Sequence, residues 1–413
     1  MKMTTSKPLY IYLQRPDNGE WVTVGRYKLE GGQGRFLYAP SYLQSGLPWS
    51  IDPVNLPLVA DTDYVALRYA GLHDVLRDMS PDSWGKMLLQ REHHLSDNAH
   101  DSTYLRLARN AQRWGALAVG TSKKPDVAGL SSPGLPQLAA LAQELLALFE
   151  RRPVVDVRVR RFLMATPSMG GARPKGTVND GGNYWLVKPA LPSDTADVPL
   201  LEHVTQQWAS LAGLHFARTE HDQMGSGLSV LRSLRFDRSA SQRHMTLSGA
   251  TLLRTEYPGR LKPEQWSYPR LAEELLQLGA PLEDGQELFG RMVFNALVGN
   301  DDDHPRNHAA VYNHPEGRWR LAPAFDVVPN PDQTPDRLCM QLSMGRFDIS
   351  REAVLADALR FGFHGPIQAR DFLDAFLARV ERDFDGVANR LGSSLKDMLA
   401  QRLVFNRRRL LGQ

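Results

Sequence analysis

Asp301, Asp302 and Asp303 stand in a row, followed by His304, Pro305, Arg306, Asn307 and His308. Adjacent carboxylates repel one another and are costly to bury unpaired, so a bound cation or a proton-accepting task would explain their crowding. Asp302 and Asn307 are separated by four residues, the spacing with which phosphoryl transfer pairs a proton-accepting carboxylate with a metal-holding amide oxygen. Nineteen residues after Asn307 comes Asp326, directly preceded by Phe325. A hard carboxylate there suits magnesium, which usually keeps water and phosphate oxygens as its other ligands. On spacing alone two other readings stay open. The acidic run can simply face water, with Asp326 capping a turn. His304 and His308 can hold a metal with Asp301 or Asp303, although Pro305 interrupts any helix that would present both imidazoles.

Phosphate also needs a cradle. Ser168-Met169-Gly170-Gly171-Ala172-Arg173-Pro174-Lys175-Gly176 is rich in turn formers. The missing β-carbons at Gly170 and Gly171 let backbone amides close on phosphate oxygens, with a flexible hairpin as the alternative. Twelve residues beyond Gly176, Lys188 ends the apolar run Tyr184-Trp185-Leu186-Val187. An ammonium in that place needs an anion, which a phosphate or a structural carboxylate supplies. The order of glycine loop, strand lysine, Asp-x-x-x-x-Asn and Phe-Asp is the order of parts in protein-kinase-like folds.

The elements that must position these groups are legible as patterns. Short strands are predicted at 9–13, 21–29 and 35–39, and the first hundred residues read as mostly β. Ser80-Pro81-Asp82-Ser83-Trp84-Gly85 reads as a helix start capped by Ser80. Residues 123–136 read as a linker, and a helix is predicted over 137–152. Strands are predicted at 154–165, 184–187 and 229–236, with a helix over 200–214. Helices are predicted at 271–278, 285–298, 349–361, 369–390 and 394–411, so an α/β front meets a helical back. The catalytic loop then follows the buried run 292–298, and Asp326 follows a short strand at 319–321.

Composition bounds the rest. A chain of 413 residues is expected to hold two or three domains. Its hydrophobic content is 42% and its charged content 23%, which is ordinary for a soluble globular protein. Cys339 is the one cysteine, so no intrachain disulfide forms, and a reducing cytoplasm is the expected location. No apolar run is long enough for a signal peptide or a membrane span, so no membrane association is expected. A net charge of +3 is too small to argue for nucleic-acid binding by this chain.

Together these segments resemble the HipA family of toxin kinases from bacterial type II toxin–antitoxin modules. Residues 294–308 are similar to the family's catalytic-loop block, and 319–326 to its metal-aspartate block. Residues 168–175 resemble its phosphorylatable glycine loop, and 234–238 its adenine hinge. The resemblance covers about residues 9–410. It implies an α+β, bilobal, protein-kinase-like fold with a mixed α/β N-lobe and an all-helical C-lobe. The expected division is an amino-terminal β-rich subdomain (1–125), the rest of the N-lobe (126–236) and the C-lobe (237–413).

What the resemblance implies for function is an ATP- and magnesium-dependent serine/threonine protein kinase. Asp302 would be the catalytic base, and Asn307 and Asp326 the magnesium holders. Ser168, Met169, Gly170, Gly171 and Lys188 would surround the ATP phosphates, with His304 beside them. Leu234, Arg235 and Phe236 would form the adenine hinge, and Phe325 would join the nucleotide-binding residues. Ser168 aligns with the family's autophosphorylation serine, whose modification switches the kinase off. The partners implied are a small helix-turn-helix, HipB-like antitoxin, operator DNA reached through it, and a translation component such as an aminoacyl-tRNA synthetase as substrate. A nucleotide-binding corepressor without turnover and a small-molecule phosphotransferase are the alternatives.

Overall fold

The computed structural model describes residues 7–130, 132–165, 171–225, 227–257 and 265–413. The chain divides into two compact units. One comprises Met1–Lys188, Arg235–Gly259 and Val311–Glu316, the other Pro189–Leu234, Arg260–Ala310 and Gly317–Gln413.

In the first unit, the predicted amino-terminal strands form a five-stranded antiparallel sheet. Its order is Tyr64–Val65, Gln33–Tyr38, Trp21–Glu30, Leu9–Gln14 and Leu117–Gly120. These strands bury Ile11, Tyr12, Leu13, Val24, Tyr27, Phe36 and Tyr38, with a register shift between Ile11 and Tyr12. Helices Pro40–Gln44, Asp74–Asp78 and Ser83–His93 make this region more mixed than the mostly β reading expects. The Ser80 cap also moves. Ser80 donates its hydroxyl to the Leu76 carbonyl at 2.7 Å, closing the preceding helix. Asp82 takes the N-cap position of Ser83–His93 instead, where the buried Arg77 guanidinium pairs with it.

The helix predicted over 137–152 is present as Leu138–Phe149. Residues 154–165, expected as a strand, instead contain the helix Val157–Ala165. The Asp156 carboxylate accepts from the amides of Arg158 and Val159 at 2.8 and 3.0 Å, a capping geometry. The buried residues Val159 and Leu163 are four apart, a helical interval. A tight hairpin follows, Gly176–Asp180 against Asn183–Pro189. Gly181 and Gly182, with φ of 57° and 94°, make its two-residue turn.

A buried carboxyl in this unit gives a pH signature. Asp52 is fully buried and accepts from the Val54 and Asn55 amides and from Asn55 Nδ2. Burial pushes it up to about 7, with Asp74 and Asp78 adding to the push. The folded chain thus keeps a proton that the unfolded chain releases near the ordinary carboxyl pKa. Asp52's contribution to stability is full below that value and is lost as pH rises toward about 7. Thermal unfolding between pH 4 and 8 is expected to show this fall, and Asp52→Asn to flatten it.

The second unit carries the predicted helical back. Its helices are Val198–Leu211, Tyr268–Gln277, Leu282–Val298, Arg351–Ala356, Pro366–Ala388 and Ser393–Leu411. The back is not all-helical, because residues 237–413 also contain strands Ala309–Asn313 and Arg318–Leu321. Trp208 fixes the core, its indole N–H on the Val380 carbonyl at 2.8 Å and its ring against Phe294 and Phe384. The hairpin Thr219–Gln223 with Ser229–Leu234 belongs to the same unit. Among the described residues no helix is long and apolar enough to cross a membrane.

Candidate active site

The helix Leu282–Val298 is apolar around most of its circumference, with Phe289, Met292, Val293, Phe294, Ala296, Leu297 and Val298 all buried. That pattern marks a core helix. It stops at Gly299, whose φ is 70° and whose amide bonds back to the Asn295 carbonyl at 2.9 Å. A β-carbon at Gly299 would come within 2.9 Å of Arg402 and Pro335 side-chain atoms, so glycine is required there on two counts. Arg402 and Asn406, four residues apart on the Ser393–Leu411 helix, occupy the helix's last carbonyls. Arg402 Nη1 reaches the Val298 carbonyl at 3.1 Å, and Asn406 Nδ2 that of Ala296 at 2.9 Å.

The loop that follows separates the three aspartates. Asp301 accepts from Asn330 Nδ2, 3.2 Å from each of its oxygens. Asp303 is buried, accepting from the Tyr268 hydroxyl at 2.7 Å and the Cys339 amide at 2.8 Å. Asp302, between them, faces outward. Successive side chains of extended backbone point to opposite sides, which is how three adjacent carboxylates coexist. The surrounding protein draws solvent away from Asp302 and pushes its carboxyl up to about 6, with the charges of Asp326 and then Asp301 adding to the push.

A short 3-10 turn, Pro305–Asn307, sets Asn307. Asn307 Nδ2 donates to the backbone carbonyl of Asp302 at 2.8 Å, tying the two residues and leaving the amide oxygen as the group able to ligate. His304 occupies the N-cap position of that turn and is buried. His308 lies edge-on to Tyr268 at 5.1 Å, and burial pushes its imidazole down to about 3, aided by Arg291 and His304. Among the described residues no three His, Cys, Asp or Glu groups are placed to hold a metal together.

The other end of the same core helix holds the Asp326 segment. Asp284, in its first turn, receives Arg320 in a two-pronged pair at 2.9 Å each and the Leu321 amide at 2.7 Å. Arg291 donates to the Ala322 carbonyl at 2.8 Å, and the Ala324 amide to the His215 carbonyl at 2.9 Å. Phe325 and Asp326 leave this anchored stretch, with Asp326 at a φ of 59°. That left-handed conformation is one that Asp and Asn tolerate better than most residues. Asn307 and Asp326 present hard oxygens beside a carboxyl raised first by loss of solvent and then by the charges of Asp326 and Asp301, and that donor chemistry fits a small divalent cation.

The first unit holds the other predicted residues except Leu234. Ser168, Met169 and Gly170 lie outside the described residues. Gly171 is at φ 64°, and its carbonyl accepts from the Trp84 amide at 3.3 Å. The Trp84 indole donates to the Lys175 carbonyl at 3.1 Å, so the Ser83–His93 helix holds the glycine loop's exit at two points. Lys188 is buried at the end of its strand. The segment expected as the hinge is firmly built. Arg235 grips Asp237 with two bonds at 2.9 and 2.8 Å. Burial pushes the Asp237 carboxyl up, but Arg235 and Arg238 outweigh it and hold it well below the usual range. The Arg235 amide is spent on the Tyr184 carbonyl, and the Phe236 ring lies edge-on to Trp114 at 6.1 Å. In the second unit, the Leu234 amide is spent on the Arg218 carbonyl at 2.8 Å, which leaves its carbonyl as the group able to accept from an amino group.

Sequence reasoning did not single out Tyr268, Asn295, Asn330 or Arg402. The network runs from Asn300 to the Asn295 oxygen (3.2 Å), then from Asn295 Nδ2 to the Tyr268 hydroxyl (2.8 Å) and on to Asp303. Tyr268→Phe would leave a buried carboxylate oxygen and an amide donor unpartnered. Its expected cost is about 1–3 kcal/mol, read as a lowered urea midpoint at an unchanged slope.

Comparison with known proteins places the fold and the family. A Haemophilus influenzae protein described, by inference, as a kinase is 28% identical over 207 residues, or 44% of this chain. The match spans 57% of that relative's own length. A solved structure of HipA from Shewanella oneidensis MR-1, in complex with HipB and its operator DNA, is similar in fold. Its TM-score is 0.69 at 17% identity, covering 98% of this chain and 97% of that one. The fold is thus the kinase-like, HipA-type fold that the sequence predicts. The family model for the HipA-like C-terminal domain matches residues 167–384, more than half of the sequence and the stretch holding every candidate catalytic residue, and the chain belongs to the HipA family.

Proposed function

We propose that this protein is an ATP- and magnesium-dependent serine/threonine kinase acting as the toxin of a type II toxin–antitoxin module. The observation that carries the reading is the tie of Asn307 to the Asp302 backbone, with Asp326 near enough for its charge to raise the Asp302 carboxyl. In the transfer step, ionised Asp302 accepts the proton of the acceptor hydroxyl as that oxygen bonds to the γ-phosphorus. The bond from the γ-phosphorus to the β,γ-bridging oxygen breaks, and ADP leaves. Asn307 and Asp326 are the residues that would hold magnesium, which supplies charge neutralisation at the phosphates when bound. Lys188 and the amides of the glycine loop, Met169 to Gly171, are assigned to the phosphates, with His304 beside them. The Leu234 carbonyl, Arg235 and Phe236 are assigned to adenine, and Phe325 backs the metal-holding segment.

Ser168 is proposed as the autophosphorylation site and off-switch. The partners proposed are a small helix-turn-helix antitoxin, operator DNA through it, and a translation component as protein substrate. The HipB and operator DNA that accompany the Shewanella structure support the first two. The test is transfer of labelled γ-phosphate by the purified chain with magnesium, followed by mapping of the label. Label on Ser168 or on a co-purified protein supports the reading. ATP binding without transfer favours a corepressor, and label confined to small molecules favours the other phosphotransferase reading.

A further inference from the structure

A second charged site lies in the first unit, and none of its described lining residues is assigned to phosphotransfer. Two helix ends and the side of a third helix line an open cavity of about 650 Å³ there. Arg91 comes from the last turn of Ser83–His93, Arg151 and Arg152 follow the end of Leu138–Phe149, and Arg160 lies on Val157–Ala165. Leu148 and Met164 line the apolar side, and Glu92 is the lone acid in the lining.

Two of the four arginines are engaged elsewhere. Arg160 pairs with the fully buried Glu144, and Arg152 with Glu150 at 2.7 Å. The other two have no carboxylate partner among the described residues. Arg91 donates one bond, at 2.7 Å, to the Leu148 carbonyl. Arg151 has a φ of 56° and sits where the helix end closes, with its amide on Leu148 and that of Arg152 on Ala147. Glycine is the usual occupant of that position. An arginine there is strained, and strain of this kind concentrates at functional positions. Arg91 is also pushed down, first by burial and then by the charges of Arg151 and Arg160, which places these cations within reach of one another. Arg158 and Arg161 add two exposed cations to the same short helix.

Guanidinium groups present paired N–H donors that match phosphate oxygens, and crowded, partly desolvated ones gain most from a compact dianion. We propose that this cavity binds a phosphate group, with Arg91 and Arg151 as its principal donors and Arg160 in support. The partial negative charge of the helix C-termini favours cations here, but it does not call for arginine at a left-handed position.

The test uses the full chain without magnesium and pyrophosphate as the probe, at ionic strength matched with sodium chloride. Hydrogen–deuterium exchange across residues 148–164 is the readout, since it is local to the cavity. Pyrophosphate is expected to slow exchange there. Arg151→Gly relieves the strained position, so it should raise the melting temperature while weakening pyrophosphate protection by about tenfold or more. Arg91→Gln is expected to weaken it likewise. No protection beyond the chloride control would overturn the proposal, as would protection unchanged in Arg151→Gly. Protection by heparin alone would also overturn it, showing a diffuse electrostatic surface. None of these outcomes depends on whether the chain transfers phosphate from ATP.

Discussion

Asp302→Asn is expected to lower phosphoryl transfer by about 10²–10⁴-fold, while the protein remains folded. The substitution keeps the side chain's size and removes only its ability to take a proton. Asp302 faces outward and holds no buried network, unlike its neighbours Asp301 and Asp303. Its carboxyl is raised to about 6 by solvent withdrawal and by the charges of Asp326 and Asp301. Making it neutral removes that repulsion, so thermal stability at pH 7 should hold or rise slightly. The measurements are label transfer from ATP and a melting curve on the same preparation. Wild-type transfer by the variant would falsify the assignment of Asp302 as base. Loss of both transfer and fold would mean that Asp302 has a structural role.

Asp326→Asn should have an effect of similar size through a different route. Asparagine accepts the left-handed backbone at this position, where φ is 59°, so the segment anchored by Asp284 and Arg291 keeps its course. The lost charge weakens cation holding, and the magnesium concentration giving half-maximal transfer is expected to rise about tenfold or more. The same substitution removes the second cause of Asp302's raised pKa. An ionised base is needed for transfer, so the acid limb of the pH–rate profile should move to lower pH in Asp326→Asn. A profile that stays in place, with wild-type magnesium dependence, would separate Asp326 from the site. Asp326→Ala lacks a side chain suited to the left-handed region and is the less informative variant.

The parts of this site that are local in the chain were legible in the sequence. The Asp302–Asn307 interval reflects one turn of backbone, closed by the Asn307 bond to the Asp302 carbonyl. The helix over 282–298 announced itself by apolar content, and Lys188 by ending an apolar strand. Residues 154–165 were misread because Val154, Val155, Val157 and Val159 among arginines imitate a period of two. The deciding contact is a side-chain cap from Asp156, and composition does not reveal it. Asp82, paired with the buried Arg77, stands at the N-cap position that Ser80 was expected to take, and composition does not reveal that pairing either.

What no pattern revealed is the long-range polar support. Tyr268 meets Asp303 across 35 residues of sequence, and Asn406 meets Ala296 across 110. Neither partner carries a signal of its own. In hindsight, buried polar residues four apart on the final helix, Arg402 and Asn406, mark a surface turned toward unsatisfied carbonyls. The glycine loop was legible as composition, yet its fixed point is the Trp84 indole 91 residues earlier.

The alternation of the three aspartates has an evolutionary consequence. Asp301 and Asp303 are held by partners that the fold itself needs, whereas Asp302 is held by none of that buried framework. On the proposed function, a lineage could therefore silence transfer by a single replacement at position 302 while keeping a sound scaffold for whatever else the protein binds. Loss of Asp303 would instead leave the buried Tyr268 hydroxyl and the Cys339 amide without their acceptor. Descendants that abandoned catalysis would carry that history as one altered letter between two unaltered ones.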